Sequence, residues 1–578
     1  MWIRKTIATL SLTIAVGMIV SQASSNAADG DTKADKKKAK QLKLLEAKKK
    51  AEAEKPPEPA NGGKAVVISK TPPAAPAKPM ATEALAKMID MGIDKPLKDA
   101  KIQVSSQSSD AEFLRRVCLD ITGVVPTVER ASAFLDDRSP DKRAKLINEL
   151  LSAPEFGKHQ SDIWTVMMNP IDSENRFVSK APLREWLTEK FNANMHWDTM
   201  AYELMTATGD LDKNGATGYM MANRGVDKMT DSVGKLFLGV QIQCAQCHNH
   251  PFTHWKQTEY WGLAQFFYKV NVSNPRAAKD GGTITVNEDG RVNRKVNALP
   301  EAAKHVSAKY LGSDEVKLNS SEPYRPALAQ WICTPSNPFF AKAFVNRIWS
   351  QYFGRGIVNP VDDLSDENVP THPELLANLS KEFAASGFDI KHLIRGICNS
   401  QAYQRSSKPL GDNRDDKTMF SHQGIKVLTA EQLFDSLAAV LGVPGGGKDG
   451  GKAKMAPAPK GGPQGPRDQF ALFFMGTETA KPTEYEAGIP QALRLMNSPL
   501  MANGRLLSAA NRIAEVARPA TTPDKAIEKL YLGTLSRRPS TDELKKMKDY
   551  VAKQTDPKQA YSDVMWVLLN SSEFTLNR

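Results

Sequence analysis

The chain contains little cysteine, few aromatic residues and no long apolar run. Its 578 residues include 5 cysteines, and aromatic residues make up 7% of the composition. So few thiols exclude a disulfide scaffold, and a chain of this length must be stabilised by packed apolar cores. The longest apolar run, residues 7–20, is 14 residues long, which is shorter than the ~20 residues of a membrane-spanning helix.

Several catalytic sequence patterns are also missing. No phosphate-binding P-loop, dinucleotide-binding glycine fingerprint or Gly-x-Ser-x-Gly elbow occurs where a strand and a helix would support it. The sequence therefore leaves open whether the protein is an enzyme.

The N-terminus has the pattern of a secretory signal peptide. Arg4 and Lys5 precede the apolar run, and small residues follow it up to Ala27. This order predicts a signal peptide over residues 1–27 and an exported, periplasmic, cell-envelope or extracellular protein, with an uncleaved signal anchor as the alternative.

The positive charge is concentrated near the N-terminus. The formal net charge is +12, of which residues 29–80 carry +6 (13 Lys minus 7 acidic residues) and residues 81–578 carry only +4. A nearly balanced remainder gives no reason to expect a nucleic-acid partner. The Lys/Ala/Pro-rich residues 28–80 are predicted to be a disordered tether, which is a solvated spacer or an electrostatic contact with the cell envelope.

The rest of the chain is predicted to be mainly α, in two helical domains. Apolar residues recur three and four positions apart over most of its length. We expect a helical domain over residues 81–270, a connecting segment with a small β-hairpin over 271–322, and a second helical domain over 323–577. A Gly/Pro/Lys-rich tract at 442–467 is expected to be a flexible insertion in the second domain.

Local patterns predict where several helices begin. Ser139-Pro140 and Thr522-Pro523 each combine an N-cap residue with proline at the first helical position. Residues 371–374 and 540–543 fit the capping box, in which a hydroxyl and a carboxylate each accept from a free backbone N–H.

The most specific chemical pattern is Cys244-Ala245-Gln246-Cys247-His248. Two cysteines three positions apart, followed directly by histidine, are typical of covalent c-type haem attachment. In this interpretation Cys244 and Cys247 form thioethers and His248 binds the iron. The opposite iron ligand is not evident from the sequence, and methionines are the candidates: Met195, Met220, Met221 and Met229.

Two other interpretations of the same residues stay open. His250 and His254 follow the motif, so the two cysteines with two of the three histidines could bind zinc in a closed tetrahedral site. If one position stayed open to water, hydrolysis would be possible. The third interpretation is a Cys244–Cys247 disulfide, or free thiols, with surface histidines.

Several longer phrases resemble two planctomycete families. Residues 113–116, 119–123, 139–143 and 244–252 resemble the cytochrome-associated domain of unknown function. Residues 337–349, 353–358, 495–500 and 569–574 are similar to its usual C-terminal companion domain. The resemblance covers nearly all of residues 85–577. It implies kinship with proteins for which electron transfer or polysaccharide use is suspected, and hence a redox partner or an extracellular polysaccharide as the partner.

Two further polar groups are candidates for function or for structure. Two carboxylates beside an arginine and a histidine could do acid–base work, and they lie in the group Asn346, Arg347, Asp362, Asp363 and His372. A second group is expected to be a structural ion-pair cluster, because buried charges need partners: Arg115, Arg116 and Asp120.

The sequence thus favours an exported protein with a c-type haem that serves electron transfer or an associated oxidoreductase. The alternatives are a zinc- or other metal-binding protein that acts on or binds extracellular polysaccharide, and a structural cell-envelope protein held by its basic tether. The oligomeric state is not determined by any of these observations.

Overall fold

The structure, a computed structural model, describes residues 79–170, 178–273, 283–288, 292, 299–442, 465–475 and 511–578. The predicted signal peptide and nearly all of the predicted tether and of the Gly/Pro/Lys-rich insertion lie outside these residues, so those assignments stay predictions.

The described residues are mainly helical, as predicted. The helices before residue 300 are α1 Thr82–Asp99, α2 Asp110–Thr122, α3 Val128–Asp136, α4 Lys142–Ser152, α5 Pro154–Met168, α6 Ala181–Asn192, α7 Trp197–Thr206, α8 Thr217–Ala222, α9 Val226–Val233 and α10 Gln257–Ala264. Shorter turns of other helix types are Gly234–Leu238 (π) and Gln243–Gln246 and Gln265–Phe267 (3₁₀).

The second half of the chain is also mainly helical. Its helices are α11 Glu301–Lys304, α12 Arg325–Ile332, α13 Phe340–Phe353, α14 Pro373–Ala385, α15 Ile390–Asn399, α16 Ala430–Leu441, α17 Pro466–Met475, α18 Asn511–Val516, α19 Pro523–Leu535, α20 Thr541–Val551, α21 Pro557–Leu569 and α22 Ser572–Thr575. A 3₁₀ turn spans Gly411–Asp415.

Two of the four predicted helix starts are confirmed. Thr522 caps α19, and the Ser540 hydroxyl and Glu543 carboxylate form the reciprocal capping box of α20. The other two are wrong. Helix α4 begins at Lys142, three residues beyond Ser139, whose hydroxyl bonds Asp137 instead. Helix α14 begins at Pro373 after His372, and the Thr371 hydroxyl donates to the carbonyl of Ile357, so it does not cap the helix.

Five short strands form two small antiparallel sheets: β1 Gly209–Asp210, β2 Asn271–Val272, β3 Thr285–Asn287, β4 Lys426–Val427 and β5 Leu576–Asn577. Strand β3 pairs with β2, which is the predicted hairpin, and also with β1, so this sheet has the order β1-β3-β2. The second sheet pairs β4 with β5 and ties the end of the chain to the start of α16.

The larger hydrophobic core draws residues from both sides of the connecting segment, from Leu85 in α1 to Leu532 in α19. Closely packed aromatic rings occupy part of it. Ring centroids lie 4.5 Å apart for Trp164 and Trp197, 4.6 Å for Trp197 and Phe344, and 4.8 Å for Phe344 and Phe383. Aromatic pairs at these separations add to the stabilisation that burial provides. Helices from the first and second halves therefore share one packed interior.

A smaller core lies among the C-terminal helices. Its members come mostly from residues 428–574, and Leu119 and Val125 join it from the first half. No helix of the described ranges has both the length and the apolar content needed to cross a bilayer.

Candidate functional site

The cysteine motif lies in an exposed loop between α9 and α10. The chain leaves α9 through the π turn, whose Leu236 and Phe237 are buried, and Val240 and Ile242 are buried as well. The 3₁₀ turn that follows carries Cys244. These buried apolar residues therefore anchor the loop, and the motif itself faces solvent.

Both motif thiols are accessible. Cys244 and Cys247 are exposed and unpaired, so no disulfide joins them in this structure. The other cysteines differ from them: Cys118 and Cys398 are buried and Cys333 is partly so. Burial raises the pKa of Cys118 to about 12 and holds the pKa of Cys398 well above its ordinary value. Among the cysteines, only the motif thiols are thus exposed to solvent.

The side chains of α10 fix the backbone of the motif. Gln257 Nε2 donates to the carbonyl oxygens of Gln246 and Cys247 at 3.1 and 2.8 Å. Trp261 Nε1 also donates to the Gln246 carbonyl, at 3.0 Å. The loop is exposed, but its main chain is tied to a buried helix.

The hydrogen bonds of His248 determine its tautomer. His248 Nδ1 lies 2.7 Å from the carbonyl oxygen of Asn249. A carbonyl can only accept, so Nδ1 must carry the proton, and the lone pair of the neutral ring is on Nε2. Metal-binding histidines commonly show this arrangement, in which one ring nitrogen is oriented by a carbonyl and the other is available.

His250 has the opposite tautomer. Its Nδ1 accepts from the backbone N–H groups of Thr253 at 3.1 Å and Phe252 at 3.3 Å. The proton of the neutral ring is therefore on Nε2, which cannot bind a metal ion in this state. In this loop conformation, His250 stabilises the turn and is not an available ligand.

His254 has a carboxylate partner. Its Nδ1 is 3.2 Å from Asp366 Oδ2, a distance that suits donation from Nδ1–H and leaves Nε2 available. Even so, nowhere in the described ranges do three His, Cys, Asp or Glu side chains converge closely enough to hold a metal ion. The predicted zinc ligands are thus neighbours in one loop without forming a closed tetrahedral set here.

The four methionines named as candidates for an opposite iron ligand are not surface groups of this loop. Met220, Met221 and Met229 are buried members of the larger core, and Met195 packs against that core half-buried. Their burial does not single out one of them as a ligand.

The predicted acid–base group does not form a joint site. Asn346 bonds the backbone of Val358 and Val361, and Asp362 bonds Lys235 at 3.1 Å and Gln241 at 3.0 Å. The two remaining members have local partners: Asp363 with Asn368 and His372 with Thr371. Four of the five side chains therefore hold loops in place, and the fifth, Arg347, lines a cleft.

A cleft of about 220 Å³ contains Arg347 and was not predicted from the sequence. It is lined by residues of α2, α5, α13, β4, α16 and β5, among them Asp120, His159, Asp162, Gln351 and Glu431. These residues are separated by up to several hundred positions along the chain, so only the tertiary structure brings them together. Of the residues that line the cleft, the sequence analysis singled out Asp120 and Arg347. It assigned Asp120 to the ion-pair cluster and Arg347 to the acid–base group, so it did not predict a joint site.

The predicted arginine cluster near Asp120 is structural, but its partners differ from those expected. Arg115 donates to the carbonyls of Thr534 and Phe574 at 2.9 and 2.6 Å, whereas Arg116 pairs with Glu112 at 2.7 Å. Asp120 forms a salt bridge at 2.6 Å with Lys426, which is distant in the sequence, and forms none with either arginine.

Two known families match parts of the chain. Residues 88–272 match PSCyt2, a protein of unknown function (DUF1549), and residues 324–551 match PSD1, a protein of unknown function (DUF1553). The chain is thus a mainly helical protein that carries a PSCyt2 domain followed by a PSD1 domain, in the order that the resemblance predicted. No curated protein and no solved structure matches it.

Proposed function

We propose that Cys244, Cys247 and His248 attach a c-type haem and that this exported protein transfers electrons through it. The observation that carries the proposal is the bond from His248 Nδ1 to the Asn249 carbonyl, 2.7 Å long, beside two exposed free thiols. A histidine that is already oriented and has its Nε2 lone pair available is what iron ligation requires.

The attachment chemistry uses only groups that this loop presents. Each thiol would add across one vinyl group of the haem, forming one C–S bond, while the thiol hydrogen goes to the neighbouring vinyl carbon. No leaving group and no external oxidant are needed. Gln257 and Trp261 fix the carbonyls of Gln246 and Cys247, so the thiol-bearing backbone is positioned before attachment.

The bound haem would supply one-electron transfer, and the chain would orient it and keep it accessible. The loop is exposed, and Phe252 beside it leaves 71% of its surface in solvent. An apolar side chain at that position suits contact with a porphyrin face or with a redox partner. The redox partner, the export of the protein and the contact of its tether with the cell envelope are also parts of this proposal.

Zinc is the second candidate, and one contact favours it. The pair His254–Asp366 has the histidine–carboxylate arrangement common next to metal ions. With His250 in the wrong tautomer, the zinc set would be Cys244, Cys247, His248 and His254. The loop would have to close around the ion, because these groups do not converge here. A zinc-stabilised loop would fit a protein that binds or acts on extracellular polysaccharide.

The test is to express the full chain in a bacterium that matures c-type cytochromes and to measure covalent haem and zinc on one sample. Haem is quantified as the pyridine haemochrome, and its covalency by haem staining after denaturation. We expect one covalent haem per chain, lost in Cys244→Ser/Cys247→Ser. His248→Gln should shift the visible spectrum without removing the thioethers.

Histidine variants separate the two candidates. His254→Gln should leave the haem content unchanged if haem is bound and should remove the metal if zinc is bound. His305→Gln is the matched control, since this exposed histidine lies outside the loop and bonds Glu301. A colourless chain with one zinc, from cells that load a known cytochrome, would overturn the haem proposal.

A further inference from the structure

The cleft described above contains a buried cation that forms no salt bridge with any described carboxylate. Arg347 is 3% exposed, and no carboxylate among the described residues is close enough to form a salt bridge with it. Its guanidinium donates to the Lys235 carbonyl at 3.1 Å and faces Met167 Sδ at 3.4 Å, and Nε is buried without a partner. A buried charge without a salt bridge is costly, so this position favours an added anion.

Two further polar side chains in the same cleft have no partner. The amide of Gln351, both its nitrogen and its oxygen, is buried and unbonded. His159 is 7% exposed and has no hydrogen-bond partner in the described ranges. Burial lowers the pKa of His159 to about 4, so its ring is neutral at pH 7 and can donate or accept. Buried polar atoms normally have partners, and those of Arg347 and Gln351 beside one cavity indicate a missing one.

The acidic residues of the cleft are largely compensated by other groups. Asp120 pairs with Lys426, and Asp162 accepts from Arg467 at 3.1 and 2.5 Å. Burial raises the pKa of Glu431, which favours its neutral form. Arg347 is thus a cation of the lining that forms no salt bridge, although Asp362 stabilises its charge from a longer distance.

We propose that this cleft binds a small organic acid, with its carboxylate at Arg347 and its remaining polar groups at Gln351 and His159. A guanidinium binds a carboxylate through charge-assisted hydrogen bonds, and a small rotation of the side chain would turn Nε toward it. Ile163, Val166 and Met167 line the same cavity and provide an apolar wall for the carbon skeleton. An inorganic anion would leave that wall unused.

The volume limits the ligand to a small one. A cavity of about 220 Å³ is smaller than the ~300–1,000 Å³ of typical ligand pockets. Asp120, His159 and Asp162 lie in the PSCyt2 region, whereas Arg347, Gln351 and Glu431 lie in the PSD1 region. The lining of the cleft thus comes from both family regions of the chain.

Calorimetry and saturation-transfer NMR on the full chain test this proposal. The probes are acetate, lactate and benzoate, each compared with its amide, and sodium sulfate and sodium chloride at matched ionic strength. We expect saturable binding of at least one carboxylate, at least about tenfold tighter than its amide, since a hydrogen bond to a charged group is stronger than a neutral one. Equal affinity for acids and amides, or no saturable binding up to about 10 mM, would overturn the proposal.

Three variants locate the site. Arg347→Met removes the charge, and Gln351→Glu adds an opposing one; each should weaken carboxylate binding about tenfold or more. Ile425→Trp blocks the mouth from a position that is 56% exposed, so it tests the site even if a buried variant fails to fold. The control is Arg518→Met, an exposed arginine outside the cleft. Unchanged affinity in the folded variants would overturn the proposal, and tighter binding of sulfate than of the carboxylates would show an inorganic-anion site instead. The haem proposal is unaffected by any of these results.

Discussion

Gly123 and His159 are in such close contact that a Cβ on Gly123 would lie 2.5 Å from His159 Nδ1. Gly123 ends α2 with a φ of 73°, in the left-handed region that a side chain disfavours. The glycine of the Leu-Asp-Ile-Thr-Gly phrase at 119–123 thus has two roles. It terminates a helix, and it leaves room for an imidazole that lines the cleft.

Gly123→Ala should destabilise the protein and move His159. The left-handed conformation alone costs about 1–2 kcal/mol for a residue with a Cβ, and the overlap with the imidazole adds to this. Gly312→Ala is the matched control, because Gly312 has a φ of 72° and its nearest neighbour would be 3.9 Å from the new Cβ. Urea denaturation of both variants measures the difference. Equal losses of stability would show that the contact with His159 does not matter.

Lys426→Met should destabilise the protein strongly. It would leave the buried carboxylate of Asp120, 2.6 Å from Lys426 Nζ, without its cation, and breaking one side of a buried pair costs about 3–5 kcal/mol. Lys548→Met is the control: its pair with Asp524 is 2.9 Å long but 43% and 50% exposed, so the loss should stay below about 1 kcal/mol. Similar denaturation midpoints for the two variants would contradict this assignment.

The haem-free chain should present two reactive thiols in its native state. Cys244 and Cys247 are exposed, whereas burial raises the pKa of Cys118 to about 12 and suppresses its thiolate. Titration with a chromogenic disulfide should therefore detect two fast thiols, and all 5 cysteines in denaturant. Cys244→Ser should leave one fast thiol, and Cys118→Ser should leave two. No fast thiol without reductant and two with it would instead identify a Cys244–Cys247 disulfide.

Stability should decrease as the pH falls from about 6.5 to about 4. Burial lowers the pKa of His159 and of His372 from 6.5 to about 4 in the folded chain. Between these values the unfolded chain binds more protons, so the unfolding free energy rises with pH, by up to about 1.4 kcal/mol per pH unit for each histidine. The contribution is complete above the unfolded pKa and is lost as the pH falls toward the folded one.

Denaturation of His372→Gln between pH 4 and 8 isolates one of these contributions, because its pH slope should be shallower than that of the unmodified chain. Thr371→Val is the control, since it removes the hydrogen-bond partner of His372 and keeps the imidazole. Identical slopes in His372→Gln and the unmodified chain would show that His372 is not held neutral by burial.

The mainly helical fold and the hairpin of β2 and β3 could be predicted because they depend on local chemistry. The pairings of β3 with β1 and of β4 with β5 join distant segments and were not predicted. The capping box at Ser540 and the cap at Thr522 form as predicted, since each uses groups within three residues of each other. The start at Thr371 could not be predicted, because its hydroxyl bonds the carbonyl of Ile357, a contact that exists only after folding. Tertiary contacts of this kind compete with local caps, and the sequence pattern does not reveal which one prevails.

The candidate haem site was found from sequence because its chemistry lies within five consecutive residues, Cys244 to His248. Its exposure and the tautomers of its histidines were not predictable. Gln257 and Trp261 fix the main chain of the loop and Asp366 bonds His254, and all three residues come from later in the chain. The carbonyl next to His248 and the two backbone N–H groups next to His250 make one ring an available ligand and the other a structural group.

The sequence by itself determined the helical class, the two families and the Cys-x-x-Cys-His motif, since periodicity, phrases and spacing are properties of neighbouring residues. Only the tertiary structure decided that the two halves share one core and that Arg347, Gln351 and His159 surround one cleft. The physical reason is that burial and the pairing of charges depend on which distant segments meet. The type of a residue limits which hydrogen bonds and ion pairs it can form, and the fold determines which of these it forms.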